Sequence, residues 1–170
     1  MESTDALYLV AELAVAFAGF ASLVAVIGRR QGRDDPHWDA ARLGSMLETS
    51  LLVIAFSLLP LLPFKAGLSA ELSWRISAGV FAVSGVALTL HQGRGVRELS
   101  GYSFLRPWTI LVSVLSGSAV LGLALGASGL LVLVEATYLW GLYAYLAIAG
   151  LLFLRLVRSL LEHREPSPAA

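Results

Sequence analysis

Three carboxylates stand where the sequence is otherwise made for lipid. Glu12 lies in the apolar run 6–28, Glu48 in the run 43–62, and Glu135 at the head of the run 131–158. An acidic side chain at the centre of a membrane helix costs about 2.5–3.5 kcal/mol on insertion scales, against roughly 0.3–0.6 kcal/mol gained per strongly apolar residue. Each run holds enough leucine, valine and phenylalanine to insert anyway, so the carboxylates need partners or water only once the chain has folded. Glu48 shares a helical stripe with Ser45 and Thr49, and no intramembrane arginine or lysine lies beside it. Ser45, Glu48 and Thr49 are therefore expected to line the cytoplasmic half of a hydrated path, with Glu12 in its outer half and a proton or small cation as the passing species. The competing expectation is that Glu48 is a neutral packing residue hydrogen-bonded to a neighbouring helix. Glu12, Arg75 and Glu135 fall toward the opposite membrane face and are candidates for an outer ion pair. Glu135, at a helix N-terminus, is also favourable there by itself.

Other chemistry finds little support. The chain has no cysteine, which removes disulfides, thiolate metal sites and cysteine nucleophiles. His37, His91 and His163 fall in loops or at helix ends, with no pair at metal or haem spacing. Neither HExxH nor GxSxG occurs. The stretch Gln92-Gly93-Arg94-Gly95 is glycine-rich, but no strand precedes it and the lysine-serine pair of a phosphate loop is missing, so it is expected to be a flexible loop. The chain is read as no enzyme, with no metal and no cofactor. A net charge of zero gives no basic face for nucleic acid.

The elements that carry these residues follow from composition. Hydrophobic residues make up 57% of the 170 positions and charged ones 14%, against about 45–50% and about 25% in an average soluble domain. The class is all-α: a polytopic bundle of about five spans. The run from Pro107 to Val157 is about twice what one span needs across a hydrocarbon core about 30 Å thick. It must turn, either at Gly126-Ala127-Ser128-Gly129 or nearer Glu135. Helices are predicted at about 6–28, 36–62, 72–91, 107–126 and 131–158, forming a single transmembrane domain over 1–165 with a disordered tail at 166–170. Asp35-Pro36 reads as an N-cap followed by proline at the first helical position, and Pro60 should kink or end the second helix. Acidic Glu2 and Asp5, ahead of a long apolar run, argue for a retained helix and against a secretory leader.

Charge sets the expected orientation. Ten of the twelve lysines and arginines fall after the first span (Arg29, Arg30, Arg33, Arg42), after the third (Arg94, Arg97, Arg106) or at the end of the fifth (Arg155, Arg158, Arg164). Only Lys65 and Arg75 belong to the other side. Five spans put all three basic groups together, with the N-terminus outside and the C-terminus cytoplasmic. Tyr8, Phe64, Trp74, Tyr138 and Trp140 would mark the outer boundary, and Trp38, Tyr102, Phe104 and Trp108 the inner one. Eleven arginines to one lysine, and no asparagine, suggest a GC-rich bacterial source and hence an inner membrane.

Small residues suggest helix contacts. Ser118, Gly122 and Gly126 recur at four-residue spacing in the fourth span, Ala14, Ala18 and Ser22 in the first, and Ala78, Ala82 and Gly85 share the third. So many such faces leave some for contact between subunits, and a homo-oligomer is expected. Proline and tryptophan recur after the first and third spans (Pro36-His37-Trp38, Pro107-Trp108), a faint sign of internal repetition. The function expected is a small homo-oligomeric channel or transporter for protons or small cations. The alternative is a non-catalytic subunit, scaffold or regulator that binds another membrane protein.

Overall fold

The computed structural model describes residues 2–30, 36–98 and 106–162, all of them helical or in short turns. Six helices follow in chain order: α1 (Glu2–Arg30), α2 (Pro36–Leu58), α3 (Leu61–Lys65), α4 (Ala70–Glu98), α5 (Arg106–Ala127) and α6 (Val134–Glu162). The segments Thr4–Val24, Leu43–Lys65, Ala70–His91, Trp108–Ala127 and Val134–Arg155 are each long and apolar enough to cross a bilayer. The expected tail at 166–170, Arg33, Tyr102 and Phe104 lie outside the described residues.

Two boundaries differ from the sequence reading. Gln92–Gly95, expected to be a loop, is part of α4, which continues to Glu98. A helix satisfies its own backbone on either side of the hydrocarbon edge, so nothing obliges it to unwind there. The fifth span begins at Val134, not Leu131. The chain turns through Ser128 and Gly129, where Gly129 has φ 78°, a left-handed conformation that a Cβ would strain. Leu130, Val132 and Leu133 follow as an exposed apolar loop.

Prolines divide the second span. α2 stops at Leu58, and Leu61–Lys65 resumes as the short α3. Pro60 has no N–H for the carbonyl four residues before it, and Pro63 repeats the interruption one turn later. Gly67 then turns the chain with φ 88°. This end of the bundle, with Pro60, Pro63, Gly67 and Gly129, is the proline end. The other, toward Arg30, Pro36, Arg106 and Arg158, is the arginine end.

α6 is the centre of the bundle. It packs against α1, α2, α4 and α5, while α1 lies on α2, α4 lies on α5, and α2 meets α4 only over a short stretch. Leu142, Ala144 and Ile148 of α6 join Leu7, Val10, Phe81 and Leu123 in the core. Between α1 and α5, α6 is open, and Trp140, Tyr143 and Leu154 are exposed there.

The small-residue faces behave according to their spacing. A four-residue step advances about 400° around a helix, so the stripe drifts by about 40° per step. Gly126 is buried, and a Cβ there would stand 2.6 Å from the Thr137 hydroxyl oxygen. Gly122 is half-buried, with Trp140 at 3.9 Å from the same hypothetical atom, and Ser118 is exposed. In α1 the sequence repeats: Ala14 is buried, Ala18 half-buried, and Ser22 exposed with its hydroxyl donating to the Ala18 carbonyl at 3.0 Å. Ala78, Ala82 and Gly85, at steps of four and three, stay buried throughout.

Candidate functional site

The expected stripe on α2 is split by the packing. Thr49 is buried, and its hydroxyl donates to the Ser45 carbonyl at 2.7 Å. This is the usual way for a threonine to satisfy itself inside a membrane helix. Glu48, one residue away and about 100° around the helix, leaves the core with 45% of its side chain exposed. Ser45 is half-buried. The carboxylate meets a group that sequence spacing did not pair with it: His91 Nε2 of α4 lies 3.9 Å from Glu48 Oε1. That separation exceeds a direct hydrogen bond, and the contact is an ion pair only while the imidazole is protonated.

A second polar group lies in the same half of the bundle. Thr89 of α4 donates to the Gly85 carbonyl at 2.8 Å and contacts Ser116 of α5 at 2.8 Å. A hydroxyl has one proton, so Ser116 must be the donor to Thr89. Ser116 is then left to accept from the Tyr145 hydroxyl of α6, 3.4 Å away. The order is Tyr145 to Ser116 to Thr89 to the Gly85 carbonyl, across three helices. Position 85 also has to be glycine, because a Cβ there would collide with the Tyr145 hydroxyl. No periodicity in the sequence reveals this chain; it appears only once antiparallel helices are aligned in depth.

One buried hydroxyl in this half stands apart. Thr49, Ser57, Ser73 and Thr89 all donate to the carbonyl four residues back. Ser50, as buried as Thr49, Ser57 and Ser73 and two residues from Glu48 in sequence, has no hydrogen-bond partner among the described residues. Ser77, toward the proline end of α4, is the other such hydroxyl.

The proline half is filled by rings. Phe56 and Phe81 stack at 4.5 Å between centroids, Tyr138 stands edge-on to Phe81 at 5.6 Å, and Trp74 packs on Tyr138 at 5.3 Å. The Tyr138 hydroxyl donates to the Phe56 carbonyl at 2.6 Å. Phe56 is four residues before Pro60, so this is the carbonyl that the proline leaves without its helical donor. Tyr138 is fully buried: in the second turn of α6, it faces inward and supplies the missing bond.

The outer charges do not gather. Arg75 Nη2 pairs with Glu71 Oε1 at 2.6 Å, one turn earlier on α4. Its guanidinium lies over Gly129, about where a Cβ would be crowded at 3.1 Å. α1 packs on α2 and α6 rather than alongside α4, so Glu12 and Arg75 are on separate parts of the bundle. Glu135 is exposed in the first turn of α6. Glu12 is exposed on α1 and has no ion pair or hydrogen bond among the described residues. It lies eight residues after Thr4 in the candidate span Thr4–Val24. Among the described residues no three His, Asp or Glu side chains form a possible metal site.

These features define a small multi-pass α-helical membrane protein. No protein-family model, no curated protein sequence and no solved structure matches the chain.

Proposed function

We propose that the protein is a small homo-oligomeric channel or transporter for protons or small cations, with Glu48 as its charge-selecting residue. The observation that supports this reading is the Glu48–His91 pair across α2 and α4; the unpartnered Ser50 hydroxyl lies on the opposite, buried face of α2. A carboxylate and an imidazole 3.9 Å apart compete poorly with water or a cation for each other. A buried hydroxyl with a bond left to give favours a nearby water. Glu48 and Ser45, on one side of α2, together offer oxygen ligands of the kind that draw cations into a hydrated segment. The protein is a bacterial inner-membrane component with its arginine end in the cytoplasm, and it is not an enzyme.

The second reading, a non-catalytic subunit or scaffold, has one observation in its favour. The Phe56, Phe81, Trp74 and Tyr138 rings occupy the proline half of the subunit interior, so a complete path within one subunit would need those rings to move. Reconstitution separates the two. In liposomes under a membrane potential, wild-type protein should carry a proton or alkali-cation flux, and Glu48→Gln, which keeps shape but removes charge, should change its rate or selectivity. No flux from correctly folded wild-type protein, across several cations, would support the subunit reading instead.

A further inference from the structure

Glu12 is a carboxylate turned toward lipid. Leu7, Val10, Ala14 and Ala21 are the buried stripe of α1, and Glu12 lies about 160° around the helix from Val10 and Ala14. At 1.5 Å per residue it stands about 12 Å from Thr4, inside the span Thr4–Val24. It belongs to an exposed seam of its own: Tyr8, Glu12, Val15, Gly19 and Ser22. Their steps of four, three, four and three average 3.5 residues. Unlike a four-residue stripe, that repeat keeps one straight face toward a partner helix in a left-handed pair. At Gly19 a Cβ would meet nothing within 4 Å, so a second helix has open access to the backbone there.

We infer that this seam of α1 is the contact between two copies of the chain, parallel and related by a two-fold axis along the bilayer normal, with Glu12 hydrogen-bonded to Glu12 of the second copy. Parallel copies present the same face at the same depth, so a two-fold contact brings each residue of the seam near itself. Two carboxyls that share a proton satisfy one another where lipid offers no donor. Arg75, five residues into the span Ala70–His91, is already paired with Glu71 on its own helix, and Lys65, Arg155 and Arg158 lie at or beyond the ends of their spans, so none is a ready counter-charge for Glu12 of a second copy. A single polar residue within an apolar seam also fixes register. The rival is a head-to-tail contact with α5, where Ser118 is exposed at comparable depth, although its hydroxyl already donates to the Leu115 carbonyl at 2.9 Å. The inference rests on the homo-oligomeric part of the proposed function and not on ion passage.

The chain has no cysteine, so single cysteines report on faces without background. Val15→Cys and Gly19→Cys, oxidised with copper phenanthroline in native membranes, should give a disulfide-linked dimer in severalfold higher yield than Leu13→Cys, Val83→Cys or Leu121→Cys. In the Gly19→Cys background, Glu12→Gln should keep the dimer, since paired amides also hydrogen-bond, and Glu12→Leu should reduce it severalfold while remaining monodisperse on size exclusion. No dimer at Val15 and Gly19, equal yields at every face, or a dimer only when Gly19→Cys is mixed with Ser118→Cys would each overturn the inference. Loss of flux with the dimer intact would count against the proposed function alone.

Discussion

The two halves of the bundle handle a polar group in a low-dielectric interior in different ways. In the proline half, Pro60 strips the Phe56 carbonyl of its donor, and one short bond from Tyr138 replaces it, sealed among four rings. In the arginine half, hydroxyls from α4, α5 and α6 pass one proton order along a chain whose first link, Tyr145 to Ser116, is long at 3.4 Å. Glu48 and His91 stand nearby at 3.9 Å. One half is committed to a single arrangement; the other contains bonds weak enough to be exchanged for water.

Perturbations of packing test the rigid half with the largest effect. Gly126→Leu must displace Thr137 and Val134 where α5 approaches α6, and should cost on the order of 3 kcal/mol by overpacking. Gly122→Ala, one turn away with Trp140 at 3.9 Å, should be close to neutral in the same detergent melts. Similar losses at both positions would mean that the two glycines are equally crowded, against the drift of the stripe.

Removing hydroxyls compares the halves directly. Tyr138→Phe leaves a buried carbonyl unpaired and should destabilise by about 1–3 kcal/mol. Tyr145→Phe loses a longer bond to a serine that keeps its other partner, and should cost about 0.6 kcal/mol, the average for such bonds in membrane helices. Equal losses would erase the contrast. A sharper form is the cycle with Pro60→Ala, which restores an N–H four residues after Phe56. Tyr138→Phe should then cost less in the Pro60→Ala background than in wild type, and strict additivity would show that Tyr138 does not serve that carbonyl.

Much of this fold is legible in the sequence because lipid imposes few solutions. The five spans, the interruption at Pro60 and the turn at Ser128-Gly129 follow from run length and from proline and glycine. Side-chain partners follow less well, because they depend on how antiparallel helices align in depth. Pro60 identifies Phe56 as the orphaned carbonyl, but nothing local points to Tyr138, eighty-two residues away, as its donor. The pairing of Glu48 with His91 is hidden for the same reason, since His91 falls at a helix end when its own segment is read alone. Arg75 was expected among outer acids from other helices, yet Glu71 is four residues away on the same face, where α-helical geometry makes contact without any tertiary structure. Ser45, Glu48 and Thr49 are neighbours in sequence, but a 100° step per residue sends Thr49 inward and Glu48 outward.

Water access to the two halves tests the account most directly. Ser50 and Ser57 are both fully buried on α2 and, two turns apart, face nearly the same way. Ser57 donates to the Val53 carbonyl at 2.8 Å, whereas Ser50 has no partner. In reconstituted protein treated with a small charged methanethiosulfonate from the arginine end, Ser50→Cys should be modified and Ser57→Cys should remain unreacted. Two silent cysteines, or two that react at the same rate, would contradict a hydrated arginine half beside a dry proline half.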